Sequence, residues 1–301
     1  MDSDRKFGAV TVIVGEKNGK YPHGNSILVR GRDATAIIDP SLSVVARAEE
    51  FRGRADLVLQ SHVHEDHVAG VHLFPAAEVH AHREDAPGLR SLDGLMDIYG
   101  YGDLGATMRD FVVSNFHYVE RPDTRDFENG ALFELGGAAI RAFHLPGHTR
   151  GHCALLIEPA GVLFLGDIDL TGFGPYYGDA WSNLDAFEHS LRVISVIDAR
   201  VWVSFHHVGV VEDRHTFEEK LQRFRGKIAE REKNMLEFLR EPHSLKEMVA
   251  HRFLYPPHAN LSFIDAAERR TIEQHLKRLL ESGAVQPVSE SRYRALRAAE
   301  H

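Results

Sequence analysis

The chain has 301 residues, 43% of them hydrophobic, and a formal net charge of −9. It is long enough to bury a full core, as one large domain with a small one or as two medium ones, and its acidic balance argues against a nucleic-acid protein held by bulk electrostatics. A single cysteine, Cys153, excludes an internal disulfide and fits a reducing, cytoplasmic setting. Neither an apolar run of about eighteen residues nor a basic-then-apolar leader is present, so no membrane span or signal peptide is expected.

In chain order, Asn25–Arg30 and Ala34–Pro40 are strand-like runs joined by Gly31-Arg32-Asp33, a hairpin signal. Asp56–Ser61 reads as a short buried strand, apolar in its middle and polar at its exit. It opens onto His62-Val63-His64-Glu65-Asp66-His67. Neutral imidazole nitrogen and carboxylate oxygen are the usual ligands of zinc and similar divalent ions. On a locally extended backbone His62 and His64 share one side, while Asp66 and His67 point elsewhere. That is too many ligands for one tetrahedral ion with an open position, and it suits two metals sharing a loop. Val68–Phe74 is predicted to begin a helix, which would put the ligands on a strand-to-helix loop. His80 and His82 alternate along Glu78–His82 and mimic a ligand pair, and residues 83–127, with Gly94, Gly100, Gly102 and Gly105, read as a mobile lid. Three further strand-like runs follow: Ala139–His144 before Leu145–His152, Gly161–Leu165 before Gly166-Asp167, and Val201–Ser204 before Phe205-His206-His207. Residues 213 to 240 read as one long helix, with Phe217, Leu221, Phe224, Ile228, Met235 and Leu239 at helical spacing and Glu241-Pro242 ending it.

The first motif resembles the His-x-His-x-Asp-His signature of the metallo-β-lactamase superfamily, and the later pieces follow in that family's order. Gly147-His148-Thr149-Arg150-Gly151 is similar to its Gly-His-Thr-x-Gly turn, and Gly166-Asp167 to its Gly-Asp step. The resemblance spans roughly residues 8 to 210. It implies a four-layer αβ/βα sandwich holding two divalent ions, zinc first, with iron or manganese accepted by the same ligands. By the same resemblance His62, His64 and His148 would hold one ion, Asp66, His67 and His206 the other, and Asp167 would bridge them. His206 is the better match for the last ligand and His207 the reserve. Asp39, beside the metals in the family pattern, reads either as a partner fixing a ligand histidine or as a turn aspartate. The family places no ligand at His80 or His82, and His144 and His152 read as hydrogen-bonded structural groups.

The implied chemistry is hydrolysis of a small ester, thioester or lactone through a bridging hydroxide, in the manner of the glyoxalase II-like branch, with Asp66 orienting the hydroxide and carrying its proton. The loop Ile168–Asp179 would line the pocket, with Tyr176 or Tyr177 as a modest oxyanion donor or simply packed on the sheet edge. Alternatives are a phosphodiesterase or ribonuclease, a mononuclear-iron sulfur dioxygenase, and a metal-bearing sensor that binds DNA or a partner. His64 stands where the diiron redox branch carries Glu. Only about 38 residues separate Asp167 from His206, too few for the domain inserted in RNA-processing members.

Two domains are expected, 1–240 and 241–301. The second begins with a Ser244 cap and Glu247 three residues on. A loop at 255–260, a helix near 265–282 stopped by Gly283, and a hairpin from Val285 to Leu296 complete a unit that resembles a winged helix. It carries nine Lys or Arg against eight Asp or Glu, without a clear basic face, so packing, a homodimer contact or a contribution to the active-site rim is favoured over nucleic-acid binding. A small-molecule substrate is the expected partner.

Overall fold

A computed structural model describes residues 3–259, 261–289 and 291–296. Seven strands, β1 (Arg5–Phe7), β2 (Val10–Ile13), β3 (Ser26–Arg30), β4 (Thr35–Ile38), β5 (Leu57–Leu59), β6 (Glu78–His82) and β7 (Arg125–Phe127), form one sheet in sequence order. The expected hairpin is the antiparallel pair β3–β4, and β4 to β7 run parallel. A six-stranded second sheet is ordered β13-β12-β11-β10-β9-β8, from β8 (Leu132–Glu134), β9 (Ala139–His144), β10 (Cys153–Glu158), β11 (Val162–Phe164), β12 (Val201–Val203) and β13 (Val210–Val211).

Side chains alternate across each strand, so both sheets have two faces to bury. Val12, Ile27, Val29 and Ile38 meet Ile140, Leu155, Phe164 and Val203 between the sheets. The other face of the first sheet carries Leu28, Ile37, Val58 and Val79. It is covered by the one-turn segments α2 (Leu42–Val45) and α3 (Ala48–Phe51), which follow a left-handed turn at α1 (Glu16–Gly19), and by α4 (Ala86–Arg90), α5 (Leu92–Tyr99) and α6 (Gly105–Phe116). Leu156, Leu163 and Trp202 bury the outer face of the second sheet against α7 (Leu184–Val193) and α8 (Arg214–Phe238), where Trp202 stacks on Phe217 with centroids 4.6 Å apart. The result is four layers, helix, sheet, sheet, helix.

Two expectations change. Val68–Phe74 forms turns and a single 3₁₀ turn at Val71–Leu73 instead of an α-helix. Gly70 donates its amide to Pro40 O at 2.6 Å, and Pro75 follows within the next few residues, so the segment has no room for a regular helix. The 83–127 stretch, expected as a lid, is largely helical, and Leu89, Leu95, Ile98, Val112 and Phe116 are fully buried in the core.

Beyond α8 come β14 (His243–Ser244), α9 (Leu245–His251), α10 (Ile264–Glu281), β15 (Val285–Ser289) and β16 (Arg292–Ala295), the strands ordered β14-β16-β15. The capping box forms as the sequence implies, with Ser244 Oγ accepting the Glu247 amide at 3.2 Å and Glu247 Oε2 accepting the Ser244 amide at 2.7 Å. Met248, Ile272, Leu276 and Val285 pack around Met235 and Leu239, so this small core reaches back before residue 241. Of the loop expected at 255–260, residue 260 lies outside the described residues. Among the described residues no helix is long and apolar enough to cross a membrane.

Candidate metal centre

Parallel strands end together, and the residues just past their C-terminal ends converge. His62 follows β5, Asp167 follows β11, His206 follows β12, and the turn between β9 and β10 brings His148 in from the same edge. That turn needs Gly147. Its φ is +134°, and an added Cβ would lie 2.3 Å from the Phe187 backbone.

Two groups of ligand-type atoms face the cavity, His62, His64, His148 and Asp167 in one and Asp66, His67 and His206 in the other, and a third, Asp39, His62 and His67, shares a residue with each. In the first group His64 Nδ1 lies 3.1 Å from both His62 Nε2 and His148 Nε2. Asp167 Oδ2 lies 3.2 Å from His148 Nε2 and 4.0 Å from His62 Nε2. In the second group His206 Nε2 is 2.9 Å from Asp66 Oδ2. The other oxygen of Asp167, Oδ1, is 2.9 Å from His67 Nε2. Asp167 therefore faces both groups, one oxygen to each.

The donor set fits divalent metal. Four ligands held about 2.0–2.1 Å from one ion stand roughly 3.3 Å apart, close to the separations in the first group. The outer nitrogen of four of the five rings is hydrogen-bonded as well, which fixes the tautomer. His62 Nδ1–H donates to Ser61 Oγ at 3.1 Å, and Ser61 Oγ–H donates in turn to Asp39. His67 Nδ1–H donates to Asp39 Oδ2 at 2.7 Å, His148 Nδ1–H to the Tyr176 carbonyl at 3.0 Å, and His206 Nδ1–H to the Gly19 carbonyl at 2.8 Å. His64 Nε2 faces Asp179 Oδ2 at 3.2 Å. The rings do not share one protonation state: burial opposes protonation of His64 and His206, yet the facing Asp179 and Asp167 push them up to about 9 and about 10, and Asp167 likewise holds His67 well above the ordinary range despite its burial, so a bound ion would displace these protons. Burial holds His62 well below the ordinary imidazole range. Burial also opposes ionisation of Asp167, yet the facing His67 and His206 keep its carboxyl well below its usual value. Neutral imidazole and ionised carboxylate are the forms a metal takes.

His207, the reserve for the last ligand, is exposed with φ +57° and stands outside both groups. Asp39 takes the histidine-fixing role and not the bare turn role. His80 and His82 also lie outside both groups: His80 Nε2 faces Glu78 at 3.5 Å, and His82 stacks on His144. His152 is the structural group anticipated, donating from Nδ1 to Leu145 O at 3.1 Å and accepting the Asp167 amide at Nε2.

The centre opens into a cavity of about 300 Å³ lined by Tyr99, Tyr101, Phe173, Tyr176, Tyr255 and Phe263 among others. Tyr176 lines it, but its hydroxyl is spent on Asp179 Oδ1 at 3.1 Å, and its carbonyl does the work at His148. Tyr177 does not reach the cavity. It is fully buried, with its hydroxyl 2.9 Å from His275 Nε2 and 2.8 Å from Arg231 Nη1, because the chain turns at Gly174, φ +81°, and sends the second tyrosine toward α8 and α10. The rim role open to the C-terminal unit is filled by Tyr255, Leu261 and Phe263. Glu268 sets this segment by accepting the amides of Phe253, Leu254 and Tyr255 at 3.0, 2.9 and 2.7 Å.

Sequence reading missed Asp85. Fully buried, it accepts from Thr149 Oγ1 at 2.5 Å, the Gly151 amide at 2.7 Å and the Val63 amide at 3.3 Å, stapling the two ligand loops together. Its only sequence signal is an acid before Ala86-Pro87, which looks like an ordinary helix cap. Asp179 and the buried pair Glu65–Tyr99 were missed too, since neither carries a spacing signature.

Residues 21–231 match the family described as the metallo-beta-lactamase superfamily, and the chain belongs to it. It is similar to a metallo-beta-lactamase family protein, TTHA1429, from Thermus thermophilus, with a TM-score of 0.72 at 22% identity over 96% of this chain and 99% of that one. A protein of Aspergillus fumigatus named atrochrysone carboxyl ACP thioesterase is 26% identical over 75% of this chain and 63% of its own length. The Bos taurus acyl-coenzyme A thioesterase MBLAC2 is 28% identical over 50% of this chain and 61% of its own. The chain spans 38% to 63% of the length of the first curated relatives it matches.

Proposed function

We propose that this protein is a metal-dependent hydrolase that uses two divalent ions, zinc foremost, to cleave a small thioester, ester or lactone. One observation carries the reading: five imidazoles point one nitrogen inward, four of them with the outer nitrogen hydrogen-bonded and His64 with its outer nitrogen facing Asp179, and Asp167 offers one oxygen to each group. His62, His64 and His148 would hold one ion, Asp66, His67 and His206 the other, with Asp167 between. Two such ions, when bound, lower the pKa of a water between them and polarise the substrate carbonyl. The protein's own part is to orient and to move protons. Asp66 lines the cavity, and its Oδ1, 3.9 Å from His67 Nε2, can take the proton of the attacking water and pass it to the leaving group. Asp39, Asp179 and the Tyr176 and Gly19 carbonyls hold the rings against rotation. The named thioesterases among the relatives favour the thioester member of the substrate class.

The test is elemental analysis of protein purified without added metal, paired with thioester, lactone and bis-phosphate ester substrates. Two ions per chain with thioester or lactone turnover is the expected result. A single iron without hydrolysis would sink the proposal.

A further inference from the structure

We propose that the cavity wall selects the acyl group of the substrate and that the group it takes is aromatic and uncharged; this rests on the ester, thioester or lactone reading above. From His64 outward, Tyr99, Tyr101 and Phe263 follow one another as near-parallel rings. Centroid separations are 5.4, 5.5 and 5.8 Å, and interplanar angles are 13°, 13° and 14°. This ladder begins at an imidazole of the candidate centre and ends on the C-terminal unit. Phe173 and Tyr255, centroids 5.6 Å apart, add further rings to the lining. A substrate whose reacting carbon sits at the metal end would lay its acyl group along these rings.

Four of the five tyrosines on the wall look polar but offer an acyl group little besides ring carbon, because their hydroxyls are already committed. Tyr101 and Tyr176 share Asp179 Oδ1 at 2.5 and 3.1 Å. Tyr99 donates to Glu65, as does Tyr21 at 3.0 Å. Among the described residues that line the cavity none is Lys or Arg, while Glu65, Asp169 and Asp179 stand on its wall in addition to the carboxylates of the centre. An acyl group with its own carboxylate would find no Lys or Arg on this wall to pair with. Stacked and edge-on aromatic contacts reward a ring instead. At the mouth Tyr21 and Phe173 are each 40% exposed and Leu261 is 53% exposed, so the apolar surface continues to the rim. About 300 Å³ lies at the small end of the roughly 300–1,000 Å³ usual for ligand pockets, sized for a compact group.

The experiment compares N-acetylcysteamine thioesters of 3-phenylpropionate, acetate and succinate on the metal-loaded full chain, with isothermal titration of 3-phenylpropionamide, which is uncharged and not hydrolysed as a thioester. The phenylpropionyl thioester should exceed the succinyl one in kcat/KM by about 10–100-fold, and the amide should bind. Phe263→Ala and Tyr255→Ala should narrow that preference by raising KM for the aromatic substrate and should weaken the amide, whereas Tyr255→Phe, which keeps the ring, should retain both. Equal or faster turnover of the succinyl thioester overturns the inference and leaves the hydrolase reading standing. If no thioester turns over, the hydrolase reading is in question. The titration then decides on the wall alone: amide binding lost in Phe263→Ala supports it, and no binding overturns it.

Discussion

At the floor of the cavity, four of the five converging imidazoles are held through the outer nitrogen by a carbonyl, carboxylate or hydroxyl at the end of a strand or in a tight turn, and His64 faces Asp179. The wall is assembled otherwise, from rings on four separated segments around residues 21, 99–108, 173–176 and 255–263, which touch mainly ring to ring. Ligand geometry tolerates little error, and directional hydrogen bonds from backbone and buried acids supply that precision. A wall that selects by shape and polarity tolerates looser placement: its rings stack, four tyrosine hydroxyls are anchored on Glu65 and Asp179, and the segments are whichever the fold brings near. The floor should therefore fail when one hydrogen-bond partner is removed, and the wall when volume is removed.

The largest expected effect on the floor is at Asp85. Asp85→Ala leaves the Gly151 and Val63 amides and the Thr149 hydroxyl without their shared acceptor in a buried place. Stranding buried donors costs about 1–3 kcal/mol each at most, so a loss of about 3 kcal/mol in unfolding free energy is expected, read by chemical denaturation. Metal content should fall with it, since two ligand loops lose their common tie. Unchanged stability and metal content would show that the loops hold their shape without Asp85.

Asp39→Ala strands as many buried donors, the Ser61 amide and hydroxyl and His67 Nδ1–H, and should bear more directly on the metal. It frees the His67 ring and removes the acceptor for the Ser61 amide at 2.7 Å. Metal affinity should drop about 10–100-fold, the usual effect of losing a group that orients a ligand. Competition with a chelator measures it, and an unchanged affinity would mean that packing of Phe205 on His67, centroids 3.5 Å apart, suffices to fix the ring.

The same contrast explains what the sequence made legible. The candidate ligands follow strand ends in short motifs, so the family resemblance named His62, His64, Asp66, His67, His148, Asp167 and His206, and a four-layer sandwich, before any coordinates, while helical periodicity marked the long helix. Asp85 acts at a distance and carries no local spacing, so nothing marked it, and of Asp179 only its place in the pocket loop was legible, not its approach to His64. Which of Tyr176 and Tyr177 faces the cavity depends on the backbone turn at Gly174, and neighbouring identical residues give no clue to it. The false helix after Val68 had the right apolar content, but Gly70 and Pro75 divide a segment buried on nearly every side. The wall was the least legible part, since its rings come from both halves of the chain.

A histidine outside both floor and wall gives the smallest effect and separates the fold's own acid response from that of the centre. His82 is buried, stacks on His144 with centroids 3.9 Å apart, and accepts the Glu84 amide at Nδ1 at 3.3 Å. Burial pushes its pKa down to about 4, with the nearby His144 and Arg83 adding to the shift. The unfolded chain, with an ordinary value near 6.5, takes up this proton first as pH falls. Stability from a neutral His82 is therefore fully present above about pH 6.5 and is lost progressively as pH falls toward 4. His82→Gln removes this titration while the histidines of the centre remain. Unfolding free energy of the wild type should thus fall more steeply than that of the variant between pH 6.5 and 4, measured with and without a chelator. Parallel slopes would mean that the buried ring accepts its proton as readily folded as unfolded, and that the acid response of this fold belongs to the centre alone.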